Sequence, residues 1–387
     1  MHSLAYPIKS VVWSMYISHM FNEVYLMMHL ALVPVFITEF HLTLFQVSFI
    51  AAVPTAVGIL MNVAVGSLVD KIGAKPLLIV GLIIQALGGF IVSQSSTFEL
   101  LILGLTCIGI SNPLYHNPGL STISKSLSDH DLIKGAGIHA ASGSVGISMG
   151  LFGLSLFLVY NQWRLAYLIW TAPFLVWAVL LLKVKMVTPP KHKKQIFDGI
   201  NNDRQLLNKA FIFFLIALGL SQAGTAVIQT FMTTYMVLGR GLPKATASLI
   251  FTLGPLVSIT GALFSGYFGG RLGDFRMLML MIGITSVSSI LLPFTPTALL
   301  LTVVFISFTF FSCTIWPPIN SMTASLSPIQ KRGLAYSLSQ TTFQAMSALS
   351  PPLAAKLIES SSLTMMFPFS FFLLLASMLV LRKTRIK

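Results

Sequence analysis

The chain has 387 residues, of which 55% are hydrophobic and 9% are charged, whereas a soluble domain carries about 25% charged residues. So few charges cannot cover the surface of a soluble protein of this size, which excludes the soluble enzyme classes. The net charge of +14 does not indicate nucleic-acid binding either, because the basic residues lie between long apolar runs and form no single patch.

Apolar runs of about 20 residues recur along the whole sequence, and each can cross a hydrocarbon core about 30 Å thick as a helix. A membrane barrel would instead need strands that alternate apolar and polar residues, and this alternation is absent. The sequence therefore predicts an all-α integral membrane protein. The twelve predicted spans are residues 10–37, 46–68, 77–96, 98–125, 134–159, 164–184, 209–236, 244–268, 276–294, 297–325, 332–357 and 363–382.

Basic residues set the predicted orientation. Of the 24 lysines and arginines, 20 fall on one side of the twelve-span topology. The exceptions are Arg164, Arg240, Lys244 and Lys356. By the positive-inside rule, both termini are cytoplasmic and the protein is a multi-pass protein of the cell membrane. The polar stretch 185–208 is predicted to be a cytoplasmic linker between two six-helix bundles, 1–184 and 209–387.

Short motifs repeat between the two halves at a nearly constant offset. The segment 66–73, Gly-Ser-Leu-Val-Asp-Lys-Ile-Gly, has a counterpart at 266–273, Gly-Tyr-Phe-Gly-Gly-Arg-Leu-Gly. Ser-Leu-Ser at 126–128 recurs at 325–327, and the Lys-Gly pair at 134–135 is matched by Arg-Gly at 332–333. Three matches in register indicate two parallel structural repeats.

The segment after the second span resembles the loop motif of the major facilitator superfamily, Gly-x-x-x-Asp-Arg/Lys-x-Gly-Arg/Lys. Four positions match, the final basic residue comes one place late, and a glycine replaces the acidic residue in the second copy. The resemblance implies the major facilitator fold of twelve transmembrane helices in two six-helix bundles, with conformational gating at this loop. The gating residues so implied are Gly66, Asp70, Lys71, Gly73, Lys75, Gly270 and Arg271.

A narrower resemblance is to the fosmidomycin-resistance-like branch, whose members are proton-linked drug exporters. It rests on the segment 19–23, His-Met-Phe-Asn-Glu, with Pro34 after it, on the segment 114–118, Leu-Tyr-His-Asn-Pro, and on Trp163-Arg164. The branch usually has Asp in place of Glu23, and His-Pro where this chain has His-Asn-Pro. This resemblance implies proton-coupled export of a small organic molecule.

Glu23 is the one acidic residue near the centre of a predicted span, where an ionised group costs about 2.5–3.5 kcal/mol on insertion scales. Burial favours the neutral carboxyl and water favours the carboxylate, so changing exposure can load and release a proton. His19, one turn earlier on the same helix face, can share that proton. The alternatives are a Glu23 fixed in a helix–helix hydrogen bond and a His19 bonded to a carbonyl.

Polar and aromatic side chains in five spans are candidates for substrate contact. Prolines at 113 and 118 are predicted to interrupt the fourth span, and prolines at 317 and 318 the tenth, so that each bends toward a cavity. Amides on the seventh and eleventh spans suit a polar, weakly charged substrate; the alternative is hydrogen bonding between helices. The candidates are Asn22, Tyr115, His116, Gln222, Gln229, Trp316, Asn320, Gln340 and Gln344.

Glycines line one face of the fifth span, as in exporters of the same superfamily, although the usual proline is missing. They are Gly135, Gly137, Gly143, Gly146, Gly150 and Gly153. Close helix packing is the predicted role of this face. His139 is predicted to be a hydrogen-bonding group at that interface.

The absence of certain residue types limits which energy sources and substrates are to be expected. No Lys or Arg lies in the middle of a span, which disfavours organic polyanions, and no Gly-x-x-x-x-Gly-Lys-Ser/Thr run is present to bind ATP. We therefore expect a gradient-driven monomer that needs no cofactor or structural metal. Proton-coupled uptake is the close alternative to export. A carrier of a metal ion or chelate, bound by histidines and Glu23, and a receptor built on a carrier fold stay open.

Overall fold

A computed structural model describes residues 6–127, 129–186, 207–328 and 331–384 of the chain. The elements in these ranges are helices, with no strand among them. The first half contains α1 (Tyr6–Glu23), α2 (Met28–Ala31), α3 (Val33–Phe40), α4 (Leu44–Ile72), α5 (Ala74–Ser93), α6 (Phe98–Ser126), α7 (Asp129–Val159) and α8 (Trp163–Lys183). The second half contains α9 (Lys209–Thr234), α10 (Lys244–Leu272), α11 (Asp274–Leu291), α12 (Ala298–Cys313), α13 (Trp316–Ser325), α14 (Arg332–Glu359) and α15 (Met366–Leu381).

Helices occur at all twelve predicted spans, and the all-α fold class is confirmed. Within the described residues, nine spans are long and apolar enough to cross a membrane, or ten if a bent pair in the first span is included. The eighth and eleventh predicted spans, α10 and α14, are helical but are not among these. The number of membrane crossings therefore stays a prediction.

The first predicted span is not a single helix. It consists of α1, α2 and α3, and it bends by 56° where α3 begins. Pro34 lies in the first turn of α3, where a backbone N–H would have no partner within the helix and where the fixed φ of proline suits a helix start. The span predicted for 10–37 is therefore bent and built from three helices.

Prolines act differently in the fourth and tenth predicted spans. The predicted interruption of the fourth span is wrong, because α6 continues through Pro113 and Pro118. The tenth span does divide, since α12 ends at Cys313 and α13 begins at Trp316, with Pro317 in its first turn. A proline in a first helical turn gives up an N–H that has no partner within the helix.

The backbone repeats the 200-residue offset found in the sequence. Gly73 and Gly273 precede α5 and α11 with φ values of 84° and 78°, a left-handed conformation that glycine adopts without strain. Thr97 and Thr297 cap α6 and α12 in the same way, each accepting a hydrogen bond from the amide three residues later. Both halves thus use the same turns and caps, which supports the predicted repeat.

Contacts divide the chain into two compact units. The first comprises Met1–Leu42, Phe49–Lys193 and Gly241–Thr252, and the second comprises Thr43–Ser48, Lys194–Arg240 and Leu253–Lys387. Most of the predicted linker, residues 187–206, lies outside the described residues.

Arg164, an exception to the predicted charge asymmetry, is held by a local network. It pairs with Glu39 at the end of α3 and donates to the carbonyl of Ser95, which follows α5. Trp163 donates from its indole to the same Glu39 at 2.8 Å, and the Arg164 guanidinium lies over the Trp163 ring at 4.4 Å. These contacts fix α3 to the start of α8.

Glycines let α7 approach α1 closely. A Cβ at Gly146 would fall on the backbone oxygen of Met20, and one at Gly150 on that of Val24. A Cβ at Gly137 or Gly153 would meet nothing within 4 Å. The predicted close packing of the two backbones therefore occurs at Gly146 and Gly150 and not at Gly137 or Gly153.

Gly146→Ala should destabilise the protein, because the added methyl group meets backbone that cannot rotate away. We expect a loss of about 1–3 kcal/mol, seen as a midpoint of thermal unfolding several degrees lower by tryptophan fluorescence in detergent. The matched control is Gly153→Ala on the same helix, which adds the same methyl group in open space and should leave the midpoint unchanged or higher. Equal shifts in the two variants would contradict the packing argument.

Candidate functional site

The break after α1 creates the most polar region of the first unit. At this point the amide of Leu26 bonds to the carbonyl of Glu23 at 3.1 Å, so the carbonyl of Asn22 loses its usual partner four residues on. The side-chain amide of Gln85, from α5, donates to that carbonyl at 2.8 Å. Ser111 of α6 in turn donates to the Gln85 side chain. Two neighbouring helices thus hold the open end of α1.

The Glu23 carboxylate lies at this end, close to nitrogen atoms of three side chains. Its Oε1 accepts from the Asn22 side chain at 3.0 Å and lies 2.9 Å from Nε2 of His116 and 3.5 Å from Nε2 of His19. Glu23 and His19 are buried, whereas the His116 side chain is 31% exposed. We call Glu23, His19 and His116 the Glu23 cluster. The structure places His19 beside Glu23, one turn earlier on the same helix, and His116 joins the two from α6.

The protonation of His19 follows from its partners. Its Nδ1 lies 2.7 Å from the carbonyl oxygen of His139, and a carbonyl can only accept, so Nδ1 carries a hydrogen. In neutral His19 the lone pair on Nε2 then points at Glu23 Oε1. Two acceptors facing one another in a buried site need a proton or a cation between them. The geometry therefore builds a binding position for positive charge.

A second layer of rings supports the cluster. The His139 ring of α7 stacks on His19 with centroids 3.8 Å apart. The Tyr115 hydroxyl lies 2.8 Å from the carbonyl of Met15 and 2.9 Å from Nε2 of His139. Because the hydroxyl gives its one hydrogen to the carbonyl, Nε2 of His139 must donate to the Tyr115 oxygen. Tyr115 and His139 position His19, and the interface role predicted for His139 is confirmed.

Small residues of α7 make room for this stack. A Cβ at Gly143 would meet the His19 ring, so glycine is required where the imidazole crosses α7. The neighbouring Ser142 hydroxyl lies 3.3 Å from Nδ1 of His19 and donates to the His139 carbonyl at 2.7 Å. The glycine face and the histidine cluster are therefore parts of one arrangement.

The predicted substrate residues of the second unit fall into two groups. Gln222 is buried and bonds to Ser347 of α14 and Thr225 of its own helix, which is the alternative role of a hydrogen bond between helices. Five others are partly or fully exposed: Gln229, Trp316, Asn320, Gln340 and Gln344. Trp316 also packs on Phe343 with ring centroids 4.5 Å apart.

The predicted gating loop is described in part. Gly66, Lys71 and Arg271 are exposed. Lys75 donates to the carbonyls of Leu182 and Val184 at 2.6 and 3.0 Å, so it caps the end of α8. Gly73 forms the turn between α4 and α5. The surroundings of Asp70 and Gly270 lie outside the described residues.

The cluster also has the donor types of a divalent metal site. One ligand atom each from His19, Glu23 and His116 lie within 4.8 Å of one another, and two imidazoles with one carboxylate form a known zinc ligand set. However, Glu23 Oε1 and His116 Nε2 lie at hydrogen-bonding distance, 2.9 Å, a contact that one proton satisfies. The arrangement fits a shared proton as it stands.

Two residues near the cluster were missed by the sequence analysis. Gln85 gives no signal of its own, since an amide in a span is most often a packing group. His29 in α2 is buried, and its Nδ1 is without a hydrogen-bond partner within the described residues. Its position in a predicted span could have marked it, because ionisable residues inside membranes are functional candidates.

Comparisons with known proteins agree on the fold. The family model of the Major Facilitator Superfamily matches residues 15–351 and 214–386. No curated protein matches the sequence significantly.

Three solved structures of transporters resemble the chain over nearly its whole length. Two are of a bacterial homologue of the human lysosomal transporter Spinster, inward-facing and either occupied or unoccupied. Their sequence identities are 13% and 14%, their TM-scores 0.74 and 0.73, and the match covers 98% of this chain and 94% and 95% of theirs. The third is a mutant of the nucleoside transporter NupG, with 14% identity, a TM-score of 0.82, and coverage of 97% and 100%. At these identities the likeness concerns the fold.

Gln85→Leu should destabilise the protein, because leucine fills a similar volume but leaves the Asn22 carbonyl without its side-chain donor. We expect a loss of about 1–3 kcal/mol, measured as a lower midpoint of thermal unfolding. The matched control, Gln94→Leu, changes an exposed glutamine just after the same helix and should have little effect. A Gln85→Leu protein as stable as wild type would show that the end of α1 does not depend on this bond.

Proposed function

The chain belongs to the Major Facilitator Superfamily, and from this membership we propose that it is a secondary transporter in which the Glu23 cluster carries the coupling proton. The observation that supports the proposal most is the facing pair of acceptors, Nε2 of His19 and Oε1 of Glu23, 3.5 Å apart. Because the hydrogen of neutral His19 is on Nδ1, the lone pair of Nε2 is available to take up a proton beside Glu23. Family membership supports transport; the coupling and the substrate are our proposals.

The cluster offers a route for the proton. His116 is its exposed member and touches Glu23 directly, so a proton can enter through His116 and pass to the buried carboxylate. The C-terminal end of α1 adds partial negative charge at the same place, which favours positive charge there. Alternating access would load the proton in one exposure and release it in the other, because burial and hydration favour opposite charge states of a carboxyl.

The groups that face the carboxylate set its response to pH. His19 lies on the same helix and His116 and Tyr115 come from α6, while His139 of α7 acts through His19. From α5, Gln85 holds the neighbouring carbonyl without titrating. Because imidazoles that can exchange a proton lie beside this carboxylate, we expect transport to depend on pH.

Export of a small organic molecule is the direction that we propose, on the resemblance to proton-linked drug exporters. The polar amides and Trp316 of the second unit would contact a weakly charged substrate. Uptake by symport uses the same proton chemistry, and gradients decide between the two. We propose that the 66–75 loop, with Asp70, controls the conformational equilibrium and that the protein acts as a monomer in the cell membrane, with cytoplasmic termini.

A metal ion as cargo is the second candidate, favoured by the three ligand atoms within 4.8 Å. Purified protein in proteoliposomes separates the two candidates. A pH gradient should drive accumulation of a radiolabelled compound chosen by a thermal-shift ligand screen, while a zinc dye inside the vesicles should report no Zn²⁺ entry. Zn²⁺ entry that needs His116 and Glu23, without proton movement, would replace the proton proposal by the metal one.

Glu23→Gln should abolish accumulation driven by a pH gradient, reducing it to the level of empty liposomes, because the amide keeps the shape of the side chain but cannot take up a proton. Ligand binding, measured by thermal shift, and exchange of ligand for ligand should persist. Glu99→Gln, at an exposed position in the first turn of α6, is the matched control. If Glu23→Gln still moved protons with the ligand at the wild-type ratio, measured by an internal pH dye, Glu23 would be a packing residue.

His116→Asn should slow coupled transport and shift its pH profile, because the exposed partner of Glu23 is replaced by a group that does not titrate. Binding of the ligand at saturating concentration should remain. His41→Asn, at an exposed histidine after α3, is the control and should leave the profile in place. The measurement is the initial rate of ligand uptake into vesicles as internal and external pH are varied. A wild-type profile in the His116 variant would remove His116 from the proton route.

A further inference from the structure

A groove on the surface of the second unit shares no residue with the Glu23 cluster or with the predicted substrate contacts. It lies between α11 and α15 and has a volume of about 900 Å³. Its lining is apolar apart from two arginines and a serine. The lining residues are Phe275, Arg276, Met279, Leu280, Gly283, Ile284, Val287, Ser288, Met378 and Arg382.

The groove follows one face of α11. Its α11 residues come in adjacent pairs four apart, from Phe275–Arg276 to Val287–Ser288, which is one stripe along a helix. The stripe is about 20 Å long at the helical rise per residue, and one leaflet contributes about 15 Å to the hydrocarbon core. Leu280 and Val287 are about half exposed. The length of the groove therefore roughly matches the thickness of one leaflet, and its wall is apolar and open.

Positive charge is confined to one end of the groove. Arg276 lies in the first turn of α11, and Arg382 directly follows α15. Both are exposed, and neither has an acidic partner among the described residues. The nearby Asp274 accepts a hydrogen bond from Ser321. The two guanidinium groups are thus free to bind an anion where the groove opens at the membrane surface.

Gly283 leaves the middle of the groove without a side chain from α11. Gly283 lies half way along the stripe, and a Cβ there would meet the Met378 methyl group of α15 at 3.3 Å. Any larger side chain would fill the space between the two helices. The position keeps the groove continuous from the arginines to Ser288.

We propose that this groove binds an anionic glycerophospholipid, with its phosphate on Arg276 and Arg382 and an acyl chain along α11. Arginine pairs bind phosphate oxygens with several donors in fixed geometry, and basic pockets between transmembrane helices take acidic head groups. The length of the stripe fits an acyl chain of one leaflet and is too long for free phosphate alone. By the positive-inside rule that leaflet is the cytoplasmic one.

Native mass spectrometry of the full-length protein tests the proposal. Protein in detergent is mixed with equal amounts of phosphatidylglycerol and phosphatidylcholine, and bound lipid is counted. We expect about a tenfold preference for phosphatidylglycerol in the wild type. Substituting both arginines by glutamine should remove the preference but keep weak binding of both lipids, whereas Gly283→Phe should reduce binding of both.

The matched control is Arg332→Gln, at an exposed arginine at the start of α14 that lies outside the groove, and it should keep the preference. Inorganic phosphate added in excess should not displace the lipid if the acyl chain contributes. Equal retention of the two lipids in the wild type, or an unchanged preference in the arginine variant, would overturn the proposal. So would displacement by phosphate, or a second copy of the chain in place of lipid, seen as a dimer mass.

Discussion

A buried carboxylate is the constraint on which the first unit depends. Glu23 lies inside a predicted membrane span, where an ionised group is costly unless partners surround it. The partners come from three directions: Asn22 from the same helix, His116 from α6, and His19, which α7 holds in place. The break at this end of α1 leaves the Asn22 carbonyl without its helical partner, and the side-chain amide of Gln85, from α5, bonds to that carbonyl. The buried carboxylate, the helix break and the Gln85 bond to the Asn22 carbonyl therefore belong to one connected arrangement.

The glycine face of α7 follows from the same constraint. His19 can keep its Nδ1 on the His139 carbonyl only if its ring passes close to the α7 backbone, and Gly143 provides that space. Gly146 and Gly150 then bring the two backbones together over the next two turns. A motif that sequence analysis assigns to helix packing thus also fixes the tautomer of a histidine. The same residues of α7 therefore pack against α1 and position the histidine of the proposed proton site.

The sequence could predict the local features of the site but not its assembly. Spans, charge asymmetry and the His19–Glu23 pair follow from composition and helical spacing, because the interacting residues are one turn apart. His116 and His139 are separated from Glu23 by 93 and 116 positions, and their meeting depends on which helices pack together. Gln85 could not be predicted because it bonds to a backbone carbonyl that only the helix break leaves without a partner. No proline lies between residues 8 and 33, so the break after Glu23 has no such signal, and Pro34 marks only the bend into α3. The prolines at 113 and 118 do not interrupt α6, since proline disrupts a helix only where the freed backbone groups find other partners.

The two halves share backbone turns but differ in chemistry. Gly73 and Gly273 adopt the same conformation, and Thr97 and Thr297 make the same cap, so the repeat is preserved where backbone geometry is demanding. The counterpart of Glu23 at the same offset is Ala223, which is buried in α9 beside Gln222. Because the second half keeps the turns but lacks the carboxylate, the proposed tasks of proton coupling and solute binding can be divided between the two units. On the proposed function, the first unit would handle the proton, and the second would be free to present uncharged amides to the solute.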